Sequence, residues 1–141
     1  MKQIFLCMAV LLSQVGVFSQ DKAVIKLPEP QLEKGKPLMQ ALKSRQSIRT
    51  YSDREIPVQE MANLLWAANG INRPDVNRRT VPTAQNKQEI EIYLSNKDGL
   101  FLYDAQQHAL MTIHNRDIRA LTGMQPYVAT APANIVIVAN L

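Results

Sequence analysis

Apolar residues recur at the period of an α-helix in two segments near the start of the chain. The longer segment begins at Pro57 and ends before Gly70, and its apolar stripe predicts a helix that packs against a core. The stripe consists of Val58, Met61, Leu64, Leu65 and Ala68. A shorter helix is predicted from Pro37 to Ser44, because proline is well tolerated at the first position of a helix.

From residue 89 onward the pattern is typical of strands. Residues 89–95 alternate strictly between polar and apolar, and a turn at Asp98-Gly99 leads back into a second strand over residues 100–103. The later elements are a third strand over residues 108–113 and short helices over residues 117–121 and 126–130. The unbroken apolar run of residues 134–139 predicts a strand buried on both faces. This order predicts an α+β fold with a mainly antiparallel sheet flanked by helices.

The first residues have the pattern of an export signal. Lys2 precedes an apolar run over residues 4–12, which falls short of the roughly 20 residues needed to span a bilayer. Together with a small-residue cleavage site ending at Ser19, this predicts a signal peptide over residues 1–19. We therefore expect export to the periplasm or the cell exterior and no stable membrane span. An uncleaved anchor or a buried helix is the alternative.

The remaining sequence divides into an arm and one domain. Residues 20–36 carry two prolines, a glycine and several charges, which predict an extended arm ahead of a single domain over residues 37–141. Hydrophobic residues make up 46% of the chain, enough to bury a core. The formal net charge is +4, but the Lys and Arg residues are scattered, which argues against a nucleic-acid partner.

The chain offers few groups for metal binding or covalent catalysis. Its single cysteine, Cys7, lies within the predicted signal peptide, so the mature chain is expected to have no disulfide and no thiolate nucleophile. His108 and His114 have no acidic pair at ligand spacing, so we expect no metal site.

Two polar motifs hold the candidate chemistry. The first, Arg45-Gln46-Ser47-Ile48-Arg49, places two guanidiniums and a hydroxyl within five residues, and such donors suit a phosphate. The second, residues 78–88, is a polar loop marked by a proline, and it ends with Asn86 and Gln88. Their amides offer both donors and acceptors, as the polar edge of a ring requires. A turn-capping role is the alternative interpretation of Asn86.

In order and spacing, these motifs resemble the nitroreductase family of FMN-dependent oxidoreductases, and within it the SagB-type dehydrogenase subgroup. The resemblance runs from about Leu38 to Leu141 and includes residues 65–70, 99–104 and 108–110. It implies that Arg45, Ser47 and Arg49 hold the FMN phosphate, with Gln46 in the same cofactor-binding stretch. It also implies that Asn86 and Gln88 contact the flavin.

The resemblance further implies a function in which the flavin carries the chemistry, with no catalytic side chain. FMN would take electrons from NAD(P)H or another donor and pass them to a small electron-poor acceptor. Family members are homodimers and extend beyond the end of this sequence, so the domain is expected to be incomplete at its C-terminus. A non-catalytic flavin- or ligand-binding remnant is the alternative. A nucleic-acid-binding module is a third hypothesis, disfavoured because only Tyr51 lies near the arginine clusters.

Overall fold

The computed structural model describes residues 23–140, and the predicted signal peptide lies outside them. Seven strands are present in this part of the chain. They are β1 (Val24–Lys26), β2 (Ile71–Arg73), β3 (Arg78–Arg79), β4 (Ile90–Asn96), β5 (Gly99–Asp104), β6 (Ala109–His114) and β7 (Ala133–Ala139). Five of them form one antiparallel sheet in the order β1-β6-β5-β4-β7, and β2 pairs with β3 in a separate hairpin.

Within residues 23–140, three α-helices accompany the sheet. They are α1 (Leu38–Ser44), α2 (Val58–Asn69) and α3 (Pro126–Thr130), and single 3₁₀ turns cover Pro74–Val76, Ala84–Asn86 and Arg119–Leu121. The α+β architecture with a mainly antiparallel sheet is therefore confirmed. No helix within residues 23–140 is long and apolar enough to cross a membrane.

The core lies between α2 and one face of the sheet. Along β4 and β5 every second side chain points to this face, since successive residues of a strand alternate between its two faces. The buried apolar side chains from the two layers are Met61, Ala62, Leu65, Ile92, Leu94, Phe101, Tyr103 and Leu110. Leu65 is completely buried, so truncating it to alanine would cost about 2–5 kcal/mol.

The predicted stripe of α2 is partly wrong. Met61 and Leu65 are buried as expected, whereas Val58 and Leu64 are 58% and 48% exposed. Ala62 and Asn69 are buried in their place. The buried face of α2 is therefore rotated, relative to the predicted stripe, toward these smaller side chains. A prediction based on large apolar residues alone does not detect this rotation.

Gly70 directly follows α2, as the sequence predicts. Its φ of −75° is open to any residue, so it is not the left-handed residue that commonly ends a helix. A β-carbon at Gly70 would lie 2.6 Å from the Trp66 carbonyl oxygen and against the Trp66 ring. Close packing therefore requires the glycine.

The predicted extended arm contains a strand. Val24–Lys26 pair with residues 109–111 of β6, and the Leu27 N–H donates to the His108 carbonyl oxygen at 3.0 Å. Leu27 is buried in the core. The arm therefore forms one edge of the sheet. A strand of three residues is too short to show a period of two in the sequence.

The prediction that the strand over residues 134–139 is buried on both faces is wrong. Within residues 23–140, β7 pairs only with β4 and forms an edge of the sheet. Ile137 is 66% exposed, and Val138 is exposed as well. An apolar run indicates a strand, but it does not show whether that strand lies in the middle or at the edge of the sheet.

Candidate functional site

The loop that ends in Asn86 and Gln88 has an unusual backbone. Gln85, Asn86 and Gln88 have φ values of 53°, 56° and 53°, in the left-handed region that non-glycine residues rarely adopt. The Thr83 side chain stabilises this shape, because its Oγ1 accepts from the Gln88 N–H at 2.9 Å and donates to Glu89 Oε2 at 2.6 Å. The Thr83 hydrogen bond lowers the pKa of Glu89, which keeps the acceptor ionised.

The Gln88 amide is engaged at both ends within the protein. Its Oε1 accepts from Arg79 Nε at 3.0 Å. Its Nε2 donates to the Asn77 carbonyl oxygen at 2.7 Å and to Asn86 Oδ1 at 3.3 Å. The two amides predicted to contact the ring are thus in direct contact with each other. Their role in cofactor binding stays a prediction.

Arg79 is a site residue that sequence reasoning missed. Besides Gln88, its guanidinium donates through Nη1 to the Asn69 carbonyl oxygen at 3.1 Å, at the last residue of α2. Asn69 is buried and donates through Nδ2 to the Ile90 carbonyl oxygen at 2.9 Å. Arg79 therefore fastens the loop to the end of α2, and Asn69 joins that end to the start of β4. Its only sequence signal is its place in the motif of residues 78–88.

The hairpin of β2 and β3 explains how Arg79 reaches these partners. Ile71 pairs with Arg79, and the Thr80 N–H donates to the Gly70 carbonyl oxygen at 2.9 Å. These bonds hold the chain after β3 beside the end of α2. The sequence predicts only a polar loop here, so it does not show that Arg79 lies beside the end of α2.

The arginine motif lies in the extended segment that follows α1. Arg45, Gln46, Ser47 and Arg49 are all exposed. Among residues 23–140, no ion pair or side-chain hydrogen bond engages any of them. The guanidinium carbon of Arg49 lies over the Tyr127 ring, 5.7 Å from its centre. Since the segment follows a helix C-terminus, the side chains would have to attract an anion without help from the helix dipole.

No polar contact joins the two motifs within the part of the chain that the structure describes. Neither a hydrogen bond nor an ion pair connects residues 45–49 with Asn86 or Gln88 there. The cleft of about 490 Å³ beside Asp53 and Arg119 includes none of the predicted site residues. The two motifs are thus two half-sites that no polar contact links in this part of the chain.

A further polar pair, a buried tyrosine and a half-buried histidine, lies where the arm meets the sheet. The Tyr103 hydroxyl and His108 Nδ1 lie 2.9 Å apart, and burial raises the pKa of Tyr103 to about 12. His108 also contacts the Pro28 carbonyl oxygen at 2.9 Å, so it has a structural role. Within residues 23–140, no group of three or more His, Cys, Asp or Glu side chains is placed to hold a metal ion.

Comparisons with known proteins agree on one family. A model of the nitroreductase family matches residues 42–141. A protein of Methanocaldococcus jannaschii assigned as a nitroreductase, MJ1384, is 29% identical over 130 residues, which cover 85% of this chain and 64% of that protein. A crystal structure of a protein from Ralstonia eutropha, also assigned as a nitroreductase, superposes with a TM-score of 0.77 at 39% identity. It aligns with 83% of this chain and 56% of its own.

This chain belongs to the nitroreductase family. The predicted family and fold are therefore confirmed, while the finer assignment to the SagB-type subgroup stays a prediction. The chain spans 64% and 56% of the two relatives, so a substantial part of each has no counterpart in this sequence.

Proposed function

We propose that the protein acts as an FMN-dependent oxidoreductase. The observation that carries this proposal is the exposed pair Arg45 and Arg49, which has no acidic partner among residues 23–140. Two such guanidiniums on one segment, with the Ser47 hydroxyl between them, form a donor set suited to a phosphate dianion. Membership of the nitroreductase family supports FMN as the molecule that carries this phosphate.

The residues present fit this cofactor by the chemistry of their donors. Arg45 and Arg49 would bind the phosphate, and the hydroxyl of Ser47 would donate to it. Asn86 would meet the polar edge of the ring. When bound, the flavin would supply the electron-transfer chemistry, between NAD(P)H or another donor and a small electron-poor acceptor.

We propose that the two half-sites, which no polar contact links within residues 23–140, belong to one site shared between two copies of the chain. In a homodimer, residues 45–49 of one protomer could serve the same flavin as Asn86 of its partner. The exposed helix α1, directly before the arginine motif, offers apolar surface for such an assembly.

Titration with FMN tests the proposal directly. Arg49→Ala should remove a charge-assisted contact and weaken FMN binding by about 1.5–3 kcal/mol, or roughly 10- to 150-fold. Arg49→Lys should also weaken binding, because an ammonium cannot reproduce the bidentate fork. Arg116→Ala, at another exposed arginine, is the matched control and should leave the affinity unchanged. Equal affinity of wild type and Arg49→Ala would show that the cluster is only surface charge.

The alternative function, a non-catalytic flavin-binding remnant, is distinguished by reduction of the bound flavin. The flavin absorbance near 450 nm should bleach when NADH, NADPH or dithionite is added. If dithionite bleaches the flavin and neither NADH nor NADPH does, the nicotinamides are excluded as electron donors. Retention of reduced flavin in the presence of nitroaromatic and quinone acceptors would favour the binding-only remnant.

A further inference from the structure

The amide orientations around Gln88 are dictated by its neighbours. Arg79 carries only donors, so the Gln88 atom 3.0 Å from its Nε must be the oxygen. At the other end of the amide, the Asn77 backbone oxygen can only accept, so the atom 2.7 Å from it must be the nitrogen. A flipped amide would set donors against donors and oxygen against oxygen. The two neighbours therefore select the same orientation independently.

That orientation determines which end of Asn86 is free. The Gln88 nitrogen can only donate, so its second contact, at 3.3 Å, must be to the oxygen of the Asn86 amide. The Asn86 Nδ2 has no acceptor among residues 23–140, and the residue is exposed. Asn86 thus has its N–H groups free for anything that binds at this loop, while its oxygen already accepts from Gln88.

The backbone supports this presentation. Asn86 has a φ of 56°, and the left-handed region is one that asparagine tolerates better than most residues. Thr83 holds the loop by its bonds to the Gln88 N–H and to Glu89. The donors of Asn86 are therefore presented from a fixed backbone.

We propose that Arg79 is a positioning residue that acts through Gln88 to make Asn86 an obligate hydrogen-bond donor at the ligand edge. The site then selects ligands that offer an acceptor there, a carbonyl oxygen or an unprotonated ring nitrogen. This proposal deepens the proposed function and rests on it where the ligand is a flavin. Reduction makes the acceptors of such a ring more negative, so a donor aimed at them favours the reduced form and raises its potential.

A double-mutant cycle tests whether Arg79 acts through Asn86. Arg79→Met should weaken FMN binding by roughly tenfold and lower the potential of the bound flavin. Arg79→Lys should recover part of both, because one donor can still reach Gln88 or Asn69. Asn86→Ala should weaken binding similarly, and Arg79→Met should then have little further effect. Arg78→Met, at the exposed neighbouring arginine, is the control and should behave as wild type.

Side-chain amide NMR signals of the ligand-free protein provide a second measurement. Arg79→Met should shift the signals of the Gln88 and Asn86 amides, and Arg78→Met should not. If Arg79→Met does not fold, Gln88→Glu replaces it, because a carboxylate still pairs with Arg79 but has no N–H for Asn86. Gln88→Glu should then shift the Asn86 signals.

The outcomes separate the inference from the proposed function. Failure of the wild type to bind FMN would overturn the proposed function. The amide NMR signals of the ligand-free protein would still test whether Arg79 acts through Gln88 on Asn86. Additive effects of Arg79→Met and Asn86→Ala on FMN affinity would overturn the inference and leave the function standing. Unshifted amide signals in Arg79→Met or Gln88→Glu would also overturn it.

Discussion

The hydroxyl of Tyr103 donates to Nδ1 of His108 across 2.9 Å, and the two rings meet edge to face with their centres 5.8 Å apart. The direction of this bond follows from the other side of the imidazole. His108 Nε2 lies 2.9 Å from the Pro28 carbonyl oxygen, which can only accept, so Nε2 carries the hydrogen of the neutral ring. Nδ1 must then accept. A single chain of bonds thus joins β5 to the N-terminal arm.

Removing the Tyr103 hydroxyl should destabilise the protein. Tyr103→Phe leaves His108 Nδ1 without a donor in a partly buried position, which should cost about 1–2 kcal/mol in the free energy of unfolding. Urea denaturation monitored by circular dichroism measures this loss. Tyr93→Phe is the control, because Tyr93 is less buried than Tyr103 and the loss of its bond to Glu91 should matter less. An equal loss in both variants would contradict a special role for the bond to His108.

Stability should decline at alkaline pH because of the same tyrosine. Burial raises the pKa of Tyr103 from its usual 10.0 to about 12, so the folded protein keeps a proton that the unfolded chain releases. This contribution is fully present below about pH 10 and is lost as the pH rises toward 12, amounting to about 2–3 kcal/mol. Urea midpoints measured between pH 8 and 11 should fall less steeply for Tyr103→Phe than for wild type. Parallel curves for the two proteins would refute the assignment.

The purified protein should self-associate. Helix α1 has no buried residue, and Leu38, Met39 and Leu42 expose 71%, 74% and 55% of their surface. Light scattering should report a dimer or larger species. Leu38→Gln with Leu42→Gln should shift the distribution toward monomer, whereas Gln40→Lys, on the same helix, should not. A monodisperse monomer with a cooperative melt would count against the homodimer proposed above.

Export should remove the first residues of the chain. If residues 1–19 form a signal peptide, mature protein collected outside the cytoplasm should begin at about Gln20. Intact-mass spectrometry of this material decides the point. Exported protein that retains Met1 would contradict cleavage. Cleavage after Ser19 would leave Val24 attached, as the pairing of β1 with β6 requires.

The sequence predicted the elements that are long enough to show a period. Alternation along residues 89–95 anticipated β4 with Ile92 and Leu94 inward, and the Asp98-Gly99 turn anticipated its hairpin with β5. The strands β1, β2 and β3 have only two or three residues, too few to show alternation. They were missed because pairing with distant segments, and not local pattern, makes them strands.

The candidate site was predictable to a smaller extent for the same reason. The side-chain chemistry of Arg49 and Asn86 suggested which ligand groups they could bind, since guanidinium and amide groups have fixed hydrogen-bonding patterns. The role of Arg79 depends on the pairing of Ile71 with Arg79 and on the carbonyl at the end of α2. Such a role exists only in three dimensions, so it appears only once the hairpin is placed.

The sheet order has a consequence for the sequence of events during folding. Strands β4, β5 and β6 are neighbours both in the chain and in the sheet, so short turns suffice to bring them together. Val24 of β1 must instead find Met111 of β6, which closes a loop that contains most of the described chain. Closing this loop costs conformational entropy before the strand pairing can compensate for it. The meander should therefore form early and the arm dock late. During synthesis on the ribosome, β1 emerges before β6 and stays unpaired until β6 has followed.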